Sequence, residues 1–144
     1  MQIKIRKILL LLPLCHGCFW GNAQNDNSLA NDTSIIAAGA TPRLIARNFS
    51  FTEGPATDKK GNIYFTDQPN NKIWKYSTDG HLSLFLDSAG RSNGMDFDNQ
   101  GNLISCADEQ NQLWSISPKK KITILVNDLD GKKLNGPNDV WVSP

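Results

Sequence analysis

Two stretches of this chain are written to one pattern, forty residues apart, and a third copy begins before the sequence stops. Gly54-Pro55-Ala56-Thr57-Asp58-Lys59-Lys60-Gly61-Asn62-Ile63-Tyr64 is answered by Gly94-Met95-Asp96-Phe97-Asp98-Asn99-Gln100-Gly101-Asn102-Leu103-Ile104. The same residue returns at Asp58/Asp98, Gly61/Gly101, Asn62/Asn102, Asn71/Asn111 and Trp74/Trp114. A period near 40, made of short alternating runs between turn signals, predicts β-propeller blades. Each blade is read as four strands. The first has Gly54–Asp58, Asn62–Thr66, Lys72–Tyr76 and Leu82–Leu86; the second has Met95–Asp98, Leu103–Cys106, Leu113–Ile116 and Ile122–Val126. Turn signals about ten residues apart fit antiparallel sheets and exclude a parallel α/β fold. Leu44-Ile45-Ala46 reads as a strand leading into the first blade, and Val140 to Val142 as the opening strand of a third. Trp74 and Trp114 read as blade-to-blade packing.

A closed propeller needs about four or more blades of ~40 residues. The 144 residues hold two and the start of another, so the chain is expected to be the N-terminal part of a longer protein. A small complete β domain is the alternative. Two blades leave sheet faces and edges uncovered, so the 144-residue product is expected to be poorly stable and inactive by itself.

Residues 1–24 read as a secretory signal: Lys4, Arg6 and Lys7, then an apolar run from Ile8 to Leu14, then small residues near Ala23. That run is too short to span a bilayer. Export, periplasmic or secreted, with no stable membrane span after cleavage, is the expectation. Residues 25–43 read as a disordered leader and 44–144 as the partial propeller. With the signal removed the balance of charge is slightly acidic, and no basic patch suits nucleic acid. Cys15 and Cys18 fall in the signal; Cys106, in an apolar strand, reads as a core residue.

The residue before each innermost strand carries the chemical signal. Glu53 holds that place in the first blade, Asn93 in the second, and Asn138 in the third, the last offset by 45 because of a longer loop from Asp128 to Gly136. One carboxylate with amide oxygens is a hard-oxygen set suited to Ca²⁺, or to Mg²⁺ or Mn²⁺. Capping of the inner strands is the competing explanation of the same residues. The only histidines are His16 and His81, in the signal and in a turn, which argues against zinc. Asp96 to Gly101 looks like the start of an EF-hand loop, but Ala107 stands at its twelfth position and no helices flank it.

The segments Phe51-Thr52-Glu53-Gly54-Pro55, Asp67 to Trp74, Asn93 to Asp98, and Lys132-Lys133-Leu134-Asn135-Gly136-Pro137-Asn138-Asp139-Val140 carry a resemblance. In that order they resemble the bacterial gluconolactonases of the SMP-30/gluconolactonase/LRE-like family, from about Phe49 to Pro144. The resemblance implies an all-β, six-bladed propeller with one axial divalent metal, usually Ca²⁺, that hydrolyses lactones, commonly sugar lactones. It implies that Glu53 is a metal ligand, that Asn138 faces the substrate beside the metal, and that Asp139 shapes the pocket. Asn93 joins these two as a substrate-facing candidate. Some members carry an arginine where this chain has Gly136, which puts sugar-acid specificity in doubt. The family's remaining ligands, including the aspartate that acts as base, belong to blades beyond Pro144. Metal-assisted attack of water on the lactone carbonyl is the implied mechanism. A non-catalytic propeller module that binds a ligand or partner is the competing function.

Overall fold

The computed structural model describes residue 37 and residues 39–143. The proposed signal and most of the proposed leader lie outside these residues. A compact unit begins at Leu44, and it is all-β.

Two four-stranded antiparallel sheets make up this unit. Blade 1 contains β1 (Thr52–Thr57), β2 (Ile63–Asp67), β3 (Lys72–Tyr76) and β4 (Leu82–Asp87), hydrogen-bonded in chain order. Blade 2 contains β5 (Met95–Phe97), β6 (Leu103–Ala107), β7 (Gln112–Ile116) and β8 (Ile122–Val126), again in order. The innermost strands β1 and β5 lie side by side, the arrangement of consecutive propeller blades.

Strand register decides which face is buried. Tyr64 pairs with Lys75 and Thr66 with Ile73, so these four share the face of blade 1 that meets blade 2. In blade 2, Leu103 pairs with Ile116 and Ser105 with Trp114 on the face turned back toward blade 1. The core is the sandwich between them: Ala56, Tyr64 and Ile73 against Met95, Leu103, Ala107, Trp114 and Ile116. Full burial of Ile73, Leu103 and Ile116 stabilises by about 1.5–3 kcal/mol each. Ile63, on the opposite face of β2, is left 42% exposed. Trp114 therefore packs on the blade before it, as the repeat implies. Trp74 occupies the equivalent face of blade 1, turned away from blade 2, and its ring meets the edge of Phe49 at 5.6 Å.

The repeated polar residues are committed to the backbone. Asp58 Oδ1 accepts the N–H of Lys60 and of Asn62, at 2.9 and 3.0 Å, and its other oxygen accepts the Asn62 amide at 2.8 Å. Asp98 does the same with Gln100 and Asn102, at 2.9, 2.7 and 2.8 Å. The EF-hand look-alike is thus a strand followed by a closed Asx turn. Asn71 and Asn111 end two 3₁₀ turns, Gln68–Asn70 and Asp108–Gln110, in the left-handed conformation at φ +57 and +55, which asparagine adopts more readily than most residues. Each then reaches forward: Asn71 Oδ1 accepts the Arg91 N–H at 2.7 Å, and Asn111 Oδ1 accepts the Gly136 N–H at 3.0 Å. Each asparagine thereby holds the segment that leads to the next inner strand.

Three readings change. Leu44–Ala46 forms no strand, and Leu44 is 62% exposed. Val140–Val142 also forms no strand, because a strand needs a paired neighbour and this segment has none for its ladder. The segment from Asp128 to Gly136 is more than a loop: Asp128–Leu129 (β9) pairs with Lys132–Lys133 (β10) in a hairpin. Its turn residues Asp130 and Gly131 sit at φ +53 and +74, as a type I′ turn requires. That hairpin fits the offset of 45 in place of 40.

Two outcomes follow for stability. Asn111→Ala, which loses both the left-handed fit and the bond to Gly136, is expected to cost about 2 kcal/mol; Asn111→Gly, which loses only the bond, about 1 kcal/mol. Urea unfolding of the two variants checks the order. Burial pushes the Asp58 and Asp98 carboxyls up, but the Asn62 and Asn102 bonds outweigh it and hold both below the usual aspartate value. Their contribution is therefore complete above the ordinary aspartate pKa and is lost as pH falls below it toward the folded values. Denaturation midpoints at pH 6 and pH 3 should show a loss in the native chain that is smaller in the Asp58→Asn, Asp98→Asn double variant.

Candidate active site

Three chain segments converge where the inner strands begin. In β1 the register shifts between Glu53 and Ala56, a bulge that re-aims the side chain before it. Gly54, inside that bulge at φ +56, presses against the Asn93 carbonyl, and a Cβ there would overlap it. Gly94 follows the same rule: its N–H donates to the Asn138 carbonyl at 2.7 Å, and a Cβ would stand 2.8 Å from that oxygen and against Asp139. Only glycine permits both approaches.

Each converging segment is pinned from behind by a polar anchor. Asp67, buried on β2, accepts the N–H groups of Ser50 and Phe51 at 3.0 and 3.2 Å, just ahead of Glu53. Ser105 on β6 donates to Ser92 at 2.6 Å, and Ser92 donates to the Ala89 carbonyl at 2.5 Å, just ahead of Asn93. Asp96 on β5 accepts the Val142 N–H at 2.8 Å, just after Asp139.

The result is a cavity of about 340 Å³ lined by Glu53, Gly54, Pro55, Gly94, Met95, Asn138 and Asp139. Glu53, Asn138 and Asp139 share it. Asn93 does not line it: its side chain is buried in the wall, its N–H donates to the Cys106 carbonyl at 3.0 Å, and its own carbonyl meets Gly54. Burial raises the Glu53 pKa, and the charge of Asp108 raises it further. Asp108 opens the 3₁₀ turn after β6 and was not singled out in the sequence. Its one signal there is that the first blade has Gln68 at the same place. The polar side chains on the cavity are two carboxylates and an amide, and Glu53 is a carboxylate whose surroundings disfavour its charge. Both features suit a cation. Among the described residues no three His, Cys, Asp or Glu side chains gather as a metal-binding group.

Two other groupings among the described residues lack the geometry or ionisation that catalysis needs. Burial, then the charge of Asp139, pushes the Cys106 thiol up to about 11, so it is protonated at neutral pH and a poor nucleophile. Ser77, Asp79 and His81 cluster in the β3–β4 turn, with His81 Nδ1 3.2 Å from Asp79 and Ser77 bonded to the same carboxylate. The aspartate sits between the other two, so histidine has no hydroxyl to deprotonate and the order needed for a catalytic triad is not met. Among the described residues no helix is long and apolar enough to cross a membrane.

Comparison with known proteins agrees with this architecture. Residues 51–144 match the family model described as SMP-30/Gluconolactonase/LRE-like region. A gluconolactonase of Zymomonas mobilis subsp. mobilis is 28% identical over 125 residues, covering 76% of this chain and 35% of the relative. A candidate gluconolactonase solved by structural genomics superposes with a TM-score of 0.69 at 35% identity, over 74% of this chain and 38% of that one. A gluconolactonase from Xanthomonas campestris gives 0.66 at 25% identity, over 69% and 34%. The chain spans about a third of the length of these relatives. Its two blades, its glycine-lined axial cavity and these matches agree: the chain belongs to the SMP-30/gluconolactonase/LRE-like family.

Proposed function

We propose that this chain forms the first blades of an exported lactonase, which opens a lactone such as gluconolactone with the help of a divalent cation, Ca²⁺ or a substitute such as Mg²⁺ or Mn²⁺. The observation that carries the reading is the meeting of Glu53, Asn138 and Asp139 on one cavity, in a chain of this family. When bound, the cation supplies Lewis-acid polarisation of the lactone carbonyl.

This chain's own residues supply part of the site. Glu53 holds the cation through its carboxylate, which has no lysine or arginine partner among the described residues. Asn138, exposed on the cavity, offers an amide N–H and an amide oxygen to the lactone ring. Asp139 is tied to the backbone by the Val140 N–H at 2.9 Å, which fixes it as a wall that orients the ring. Met95 and Pro55 give the cavity an apolar side that limits water. The proton transfer of hydrolysis is assigned to no residue described here. A non-catalytic module that binds a ligand through the same cavity is the competing reading, favoured by the incomplete ligand shell.

In the whole protein, Glu53→Gln is expected to weaken calcium binding by at least about tenfold and to lower aldonolactone turnover in parallel. Calorimetric calcium titration and a lactone hydrolysis assay read the two effects. Unchanged calcium affinity refutes the role of Glu53, chelator-insensitive turnover refutes metal dependence, and calcium binding without turnover of any lactone favours the binding module. Because the Glu53 pKa is raised above 4.5, protons compete with the cation in that higher range. Calcium affinity should be flat near neutrality and fall as pH drops through the raised value. Thiol alkylation of Cys106 should be slow in the folded chain, fast in denaturant, and without effect on turnover.

A further inference from the structure

A second and larger cavity opens between the two blades, at the far end of β1 from Glu53. Its volume is about 510 Å³, within the range of small-molecule sites. The floor is aromatic. Tyr64 of blade 1 meets Phe85 of the same sheet and Phe97 of blade 2, both edge-to-face with ring centres 5.0 Å apart.

The rim is cationic. Lys59, Lys60, Lys75 and Lys120 all line the cavity. Lys75 Nζ lies 5.7 Å from the centre of the Tyr64 ring, and Lys120 Nζ 5.8 Å from that of Phe85. Lys59 Nζ donates to the Asn99 carbonyl at 2.8 Å, which ties the two blades together at the mouth. None of these lysines forms an ion pair among the described residues. Asp58 and Asp98 also line the cavity, and each carboxylate accepts three N–H groups of its own turn. Asp58 also interacts with the charge of Lys75, so the rim is cationic by the excess of four lysines over two aspartates.

The set does not belong to the repeated scaffold. Forty residues on, Lys59, Lys60, Tyr64, Lys75 and Phe85 become Asn99, Gln100, Ile104, Ser115 and Leu125. Blade 1 alone carries rings and cations at these places; Tyr64 also packs in the inter-blade core, but the four rim lysines take no part in that core.

We propose that this inter-blade cleft is a ligand site for a small organic anion with a flat apolar body, of the aromatic carboxylate class. Its ring stacks against Tyr64, Phe85 and Phe97, and its carboxylate lies among Lys60, Lys75 and Lys120. Lys75, half-buried over the Tyr64 ring, is partly desolvated, which strengthens its attraction for an anion. The site is independent of whatever is hydrolysed at the axis.

Calorimetric titration of the whole protein with naphthoate tests the proposal, with naphthylmethanol as the neutral counterpart. Saturable binding of one naphthoate is expected, at least about fivefold tighter than naphthylmethanol, and weaker in high salt. Lys75→Gln combined with Lys120→Asn should lower naphthoate affinity about tenfold. Asparagine suits position 120 because Lys120 sits at φ +65. If the double variant loses its circular dichroism signature, Lys120→Asn alone, at an exposed turn, carries the test with a smaller loss. Glu53→Gln should leave naphthoate binding unchanged. No saturable binding, equal affinity for the two probes, or a loss of affinity in Glu53→Gln and not in the lysine variants overturns the proposal.

Discussion

The axial cavity depends on main chain touching main chain. The Gly94 N–H bonds directly to the Asn138 carbonyl, and Gly54 lies against the Asn93 carbonyl. A single added carbon at either glycine would separate the three inner segments. Glu53 and Asn138 belong to different repeats, 85 residues apart, and only this close nesting brings them to one cavity. Glycine is a poor strand residue on entropic grounds. Here that loss is offset by the anchors behind each segment: Asp67, the Ser105–Ser92 pair, and Asp96.

The repeat separates scaffold from chemistry. Where the blades agree, the side chain serves the backbone: Asp58 and Asp98 close turns, and Asn71 and Asn111 clamp the next segment. Where they differ, the local physics differs. Trp114 donates its indole N–H to Gln112 Oε1 at 2.7 Å. Trp74 has Lys72 at the corresponding place, which cannot accept, and its buried indole nitrogen finds no partner. Gln68 becomes Asp108, and the carboxylate then acts on Glu53 through space. Glu53 itself gives way to Asn93 in the second repeat and to Asn138 in the third.

Strands with partners inside the chain were legible, because alternation and turn residues are local signals. All eight blade strands stand within two residues of where the sequence places them. Leu44–Ala46 and Val140–Val142 have strand-like composition but no ladder, since pairing belongs to two segments and cannot be read from one. The β9–β10 hairpin was signalled by Asp130-Gly131, a turn pair that a reading centred on the repeat passes over. At the site, the offset located Glu53 and Asn138, but it could not orient Asn93. That depends on the bulge at Gly54-Pro55 and on which neighbour takes the Asn93 N–H. Asp108 was invisible for a different reason: its effect is electrostatic and crosses from one repeat to another.

The two cavities divide the charge of the unit along one short strand. Glu53, Asn138 and Asp139 stand at the start of β1, with Asp108 nearby. The lysine-rimmed cleft surrounds Asp58, just past its end. Glu53 and Asp58 lie five positions apart along a strand that bulges at Gly54, at most about 17 Å at strand rise. That is roughly twice the screening length at physiological ionic strength, about 8 Å. Charges at one end therefore bias the other only weakly through solvent. An acidic cavity and a basic one can coexist on a fold this small because the blade is longer than the reach of its own field.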